Sequence, residues 1–157
     1  TKVLSCPFIR IGTLVSCKEN IKKVQEKQVP WSVNGAAQAF IVTALNDINF
    51  FQEMWNTTPI LKGNQIRLLK ELGVVPNENS PLWVPYVYVD FLNEEITNEA
   101  EKIAFDAGFP IRVCASYGAP HCVRLGVRLI KDQEALQNAW LASPRLMSLI
   151  KQYNETH

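Results

Sequence analysis

Arg124 and Arg128 lie in the run Val123-Arg-Leu-Gly-Val-Arg128, whose apolar residues fall on alternate positions. A period of two places Arg124, Gly126 and Arg128 on one face of a strand and Val123, Leu125, Val127 and Leu129 on the other, the core side. A guanidinium held in mid-strand away from the core suits a carboxylate or phosphate, because its planar fork donates two parallel hydrogen bonds. Arg112, in Ile111-Arg-Val-Cys-Ala-Ser-Tyr117, offers the same donor from a second such run twelve positions earlier. By residue type alone, both arginines suit a solvated strand face at least as well. Lys2 alone reads as an exposed lysine, and Arg10, in Ile9-Arg10-Ile11, as a strand charge. Cys6, Cys17, Cys114 and Cys122 fit neither a CxxC pair nor the dense spacing of a secreted scaffold, so free thiols are expected. Cys114 and His121-Cys122 lack a fourth ligand at any recognisable spacing, and no metal is expected.

These side chains need a frame, and the hydrophobic periodicity supplies one. Phe8–Ser16 is β-branched and apolar, which predicts a strand buried on both faces. Residues 18–27 predict a short amphipathic helix, which Pro30 ends. Val33, Ala36, Ala37, Phe40, Ile41, Ala44 and Leu45 form one helical stripe, with Ser32 as its expected N-cap. The helical pattern continues to Leu72 with a kink or join expected near Pro59, and Gly73 suits the position after a helix end. A strand is expected over 83–91, a helix capped by Asn93 over 94–107, and strands over 111–117 and 122–130 about a Gly118-Ala-Pro120 turn. A last helix from Asp132, interrupted at Ser143-Pro144, completes an α+β (α/β layered) chain: a small, mostly antiparallel sheet backed by helices.

The composition places few limits on function. With 157 residues the chain can bury one core, and 16 Lys+Arg against 15 Asp+Glu give a net charge of +1. Neither a nucleic-acid nor a membrane partner is expected from that balance, and no apolar run approaches the roughly 18–20 residues of a membrane span. A cytoplasmic protein is expected. The first residue is not Met and the sequence opens inside what reads as an element, so a piece of a longer protein is expected.

In combination the motifs are more specific than any one of them. Thr1-Lys2 followed by Pro7-Phe8-Ile9-Arg10-Ile11-Gly12 resembles the segment of fold-type I pyridoxal phosphate (PLP) enzymes that reads Ser-x-Thr-Lys, a few residues, then Pro-Gly-Leu-Arg-Leu-Gly. Phe8 stands where that family has Gly. Val29-Pro-Trp-Ser-Val-Asn34 is similar to a run in threonine-phosphate decarboxylases and the related histidinol-phosphate aminotransferases. The Arg112 and Arg124 strands resemble that subfamily's C-terminal paired-arginine strands. The resemblance runs in order along nearly the whole chain.

It implies the C-terminal part of a class I/II aminotransferase: residues 1–30 closing a larger PLP-binding domain, and 31–157 an interdomain helix and small domain. Lys2 would form the Schiff base, and Arg10 would hold the cofactor phosphate. Asn34, Arg112 and Arg124 would bind an amino acid or amino phosphate, Arg124 taking the α-carboxylate and Arg112 a distal acidic group. The implied activity is amino transfer to a 2-oxo acid by a homodimeric parent, this piece alone being inactive. Decarboxylation by the same cofactor, or a non-catalytic interaction module, are the alternatives.

Overall fold

The computed structural model describes residues 4, 6 and 8–156, and the chain divides into two compact units between Gln52 and Glu53. That division falls inside a helix, whereas the sequence suggests a break near Pro30.

In the first unit, the strand expected over 8–16 does not form: after a turn and bend at Phe8 and Ile9, residues 10–17 have no regular structure. A strand buried on both faces needs hydrogen-bonding neighbours, and every strand among the described residues lies in the second unit. Helix α1 (Lys18–Gln25) forms where its pattern predicts, with a Glu19–Lys23 ion pair one turn apart. Helix α2 (Gly35–Asn46) is capped by Asn34 rather than Ser32: Asn34 Oδ1 accepts from Ala37 N at 2.7 Å. Along its apolar stripe Phe40, Ile41 and Ala44 are half-buried, Ala36 and Leu45 are exposed, and Ala37 is the one buried residue of the helix.

The next helix, α3 (Ile48–Leu72), is continuous through Pro59, so the expected kink is displaced to Asp47. Asp47 has φ −84° and ψ 76°, donates its N–H to Ala44 O, and accepts from Phe50 N on Oδ1 at 3.0 Å, ending one helix and capping the next. An interior proline costs a helix about 3 kcal/mol. The buried face around and beyond it, Thr58, Lys62, Gln65, Ile66, Leu69 and Leu72, offsets that cost.

The second unit carries the architecture expected from the sequence, an antiparallel sheet with helices packed on it. Strands β1 (Val75–Pro76), β2 (Tyr86–Asp90), β3 (Arg112–Cys114) and β4 (Ala119–Gly126) lie in the order β1-β2-β4-β3, every neighbour antiparallel. Helices α4 (Glu94–Asp106), α5 (Ile130–Leu141) and α6 (Pro144–Thr156) join the second half of α3 over one face. That face is the core. Val87 and Val89 of β2 and Val123 and Leu125 of β4 meet Ile66, Leu69 and Leu72, Ile96 and Ala100, Leu136 and Trp140, and Leu146 and Ile150. Trp140 meets the Phe91 ring edge-on at 5.6 Å and donates its indole N–H to Ala100 O at 3.0 Å, so its polar edge is satisfied inside the core.

Asn93 caps α4 as expected, accepting from Ile96 N. Gly73, at φ 91°, turns the chain out of α3 with Ile150 Cγ2 only 3.1 Å from where a Cβ would stand. The strands are shorter than their apolar runs. β3 stops at Cys114, and a 3₁₀ turn (Ala115–Tyr117) leads through Gly118 in the left-handed region. β4 ends at Gly126, so Arg128 lies outside it.

Candidate functional site

The face of the sheet turned away from the core carries the chemistry. Alternation puts Tyr86, Tyr88 and Asp90 of β2 and Cys122, Arg124 and Gly126 of β4 on this side. In the β3–β4 pairing Arg112 stands directly across from Arg124, and Tyr88 is the β2 partner of Arg124. Two guanidinium groups on facing positions repel, a destabilising arrangement unless something anionic joins them. Among the described residues no carboxylate lies within ion-pair distance of either.

Aromatic rings hold both in place. Arg124 lies over the Tyr86 ring at 5.4 Å from its centroid, and Arg112 over Tyr117 at 5.5 Å while donating to Tyr117 Oη at 3.3 Å. A guanidinium held over a ring face is attracted by the ring's negative quadrupole and loses part of its freedom before a ligand arrives. Gly126, across from Tyr86, puts no side chain on this face beside Arg124. The arrangement can bind one or two acidic groups of a small molecule.

The other predicted residues are placed differently. Arg128, expected to share this face, instead donates to Pro110 O at 3.1 Å and lies over the Phe109 ring. The chain leaves the strand after Gly126 because Gln133 Nε2 captures Arg128 O at 2.7 Å and α5 begins at Ile130. Arg128 therefore braces the segment ahead of β3. Asn34 is exposed in the first unit with its side-chain oxygen committed to capping α2. Arg10, also in the first unit, is exposed and outside any helix or strand, and Lys2 lies outside the described residues. Arg10 is thus the single described residue expected to touch PLP, and the described residues do not by themselves form a cradle for that cofactor.

Three features escaped the sequence reading. Tyr86 and Tyr117 act as ring supports for the arginines, a role that Tyr86-Val-Tyr88 alternation could have suggested for the first. Asp90 stands beside His121 and Cys122, which needs the β2–β4 register to be seen. Lys62 is fully buried on α3 without a carboxylate: its Nζ donates to Ser80 Oγ at 3.0 Å and Pro81 O at 2.9 Å, and burial pushes its pKa below the ordinary lysine value. Near the sheet end, hydrogen bonding to Cys122 first, and then burial and the neighbouring Cys114 and Asp90, push the Tyr88 pKa up to about 12. Burial pushes the Cys122 thiol up as well.

Comparison with protein-family models, with curated proteins and with solved structures returns no match. No helix among the described residues is long and apolar enough to cross a membrane.

Proposed function

We propose that this chain is the C-terminal part of a cytoplasmic, homodimeric PLP-dependent enzyme of the class I/II aminotransferase type, whose small domain binds the acidic groups of an amino acid or amino phosphate. The observation that carries this reading is the facing pair Arg112 and Arg124, ring-supported and without a carboxylate among the described residues. A substrate carboxylate on Arg124 and a distal acidic group on Arg112 would relieve the repulsion between them. Each charge-assisted hydrogen bond would contribute about 1.5–3 kcal/mol.

PLP, when bound, supplies an electron sink for the bond broken at the substrate's α-carbon. Lys2 and Arg10 would be this chain's contribution to holding it. The test is to load the longer protein with PLP, reduce it with borohydride and map the label by peptide mass spectrometry. Label on Lys2 is expected, and a loaded protein labelled elsewhere overturns the assignment. Keto acid formed from the amino donor in the presence of 2-oxoglutarate indicates transamination. Release of CO₂ without keto acid would place decarboxylation first, the alternative that the Trp31-Ser-Val-Asn34 run favours. A second reading, a non-catalytic interaction module, is favoured by exposed Val29, Trp31, Val42 and Leu45. It requires both arginines to be silent in substrate binding.

A further inference from the structure

The far end of the β2–β4 pairing gathers three metal-ligating side chains of different chemistry. Asp90 and Cys122 are direct cross-strand partners, and His121 precedes Cys122. One atom each from the carboxylate, the imidazole and the thiol lie within 4.8 Å of one another, with His121 Nε2 3.9 Å from Asp90 Oδ2. We propose that Asp90, His121 and Cys122 bind a divalent cation of the zinc class, with a fourth position open to water. The proposal does not rest on the substrate reading given above.

The donor set selects the metal. Calcium and magnesium take all-oxygen shells, whereas a mixed sulfur, nitrogen and oxygen set suits a borderline-soft ion such as Zn²⁺. Bonds of about 2.0–2.3 Å in a tetrahedron place ligand atoms about 3.5 Å apart. The His121–Asp90 pair is nearly there already, and both side chains are half-exposed and free to close the remainder by small rotations. Three protein ligands with one vacant position is the pattern of an open zinc site rather than a closed structural one.

Surrounding groups anchor the Asp90 carboxylate and the backbone that carries His121 and Cys122, as metal sites require. Asp90 Oδ1 accepts from Leu92 N at 2.8 Å, which leaves Oδ2 for His121. Leu92 has φ 74°, a conformation rare for leucine, so the loop holds this contact against backbone strain. The carbonyl of His121 accepts from Phe91 N at 2.9 Å and Thr97 Oγ1 at 3.0 Å, tying its backbone to the start of α4. Cys122 is buried, so its sulfur has little room to move. The Asp90 and His121 side chains, 43% and 44% exposed, leave the carboxylate and imidazole open to an ion from solvent.

Titration of the metal-free chain with Co²⁺ tests this directly, because a thiolate on cobalt produces a charge-transfer band in the near ultraviolet. The band is expected in the wild-type chain and in Cys6→Ser and Cys17→Ser, and is expected to vanish in Cys122→Ser. His121→Ala and Asp90→Ala, at half-exposed positions that leave the core untouched, should each weaken cobalt binding at least about tenfold. They decide the matter should Cys122→Ser fail to fold. A wild-type chain without the band, a band that survives Cys122→Ser, or unchanged affinity in both alanine variants overturns the proposal.

Discussion

The two faces of β4 are built from the same eight residues and do opposite work. On one, Val123 and Leu125 are buried against helices from four parts of the chain; on the other, Arg124 faces Arg112 across the ladder with no counter-charge among the described residues. The core face is satisfied by the protein itself, whereas the open face leaves a like-charge pair that only a ligand could satisfy. A strand covered on one side can therefore carry a binding group without disturbing the packing of its core face, because alternation isolates the two environments one residue apart.

The most severe way to break this comparison is to move a charge from one face to the other. Val123→Asp buries a carboxylate where the side chain is fully enclosed, and should cost about 4 kcal/mol or more in urea unfolding. Arg124→Asp, one residue on, should stay within about 1 kcal/mol of wild type, since it also removes the repulsion with Arg112. If both unfold alike, the two faces are not independent.

Kinetics in the longer, PLP-loaded protein would sharpen the functional side. Arg124→Lys should raise KM about tenfold or more, equivalent to about 1.4 kcal/mol, because an ammonium cannot make two parallel hydrogen bonds to a carboxylate. Arg128→Lys should leave KM unchanged and instead lower stability by about 1 kcal/mol, through loss of its contacts with Pro110 and Phe109. A KM effect at Arg128 equal to that at Arg124 would remove the distinction between them.

Smaller effects probe how the helices seal the core face. Gly73→Ala places a Cβ 3.1 Å from Ile150 at φ 91°, and should cost about 1–2 kcal/mol by thermal unfolding. Lys62 is the core side's buried cation. Since burial lowers its pKa in the folded state, the unfolded chain binds the extra proton between that lowered value and 10.5, and stability should rise with pH across the window. Lys62→Met should abolish that rise in urea titrations run at successive pH values. A rise that persists in the variant would assign it to another group.

Local signals proved legible where they act within a few residues. The Asn93 cap, the Gly73 turn and the division of Val123 and Leu125 from Arg124 all follow from short-range spacing, and the structure has each in place. Features that depend on distant partners were not. The 8–16 run has strand composition but no strand beside it among the described residues, and Pro59 reads as a break only if the burial of the following turns is ignored. Lys62 looks like a surface residue until Ser80 and Pro81 are brought over it. At the candidate site the arginines were visible in their strand pattern. Their direct opposition, and the meeting of Asp90 with Cys122, are properties of register across strands, which no window of sequence contains.

Burial of the indole at position 140 also has an optical consequence. The chain has four tryptophans; Trp31, Trp55 and Trp83 are 98%, 58% and 64% exposed, whereas Trp140 is 3% exposed. A water-soluble quencher such as iodide should silence the first three and leave a blue-shifted emission from Trp140 alone. Because that ring touches Phe91 and donates to Ala100, the residual light reports the joint between α4, α5 and the end of β2. The wild-type chain thus carries its own single-site fluorophore, placed where the packing of the sheet against its helices can be followed without a label.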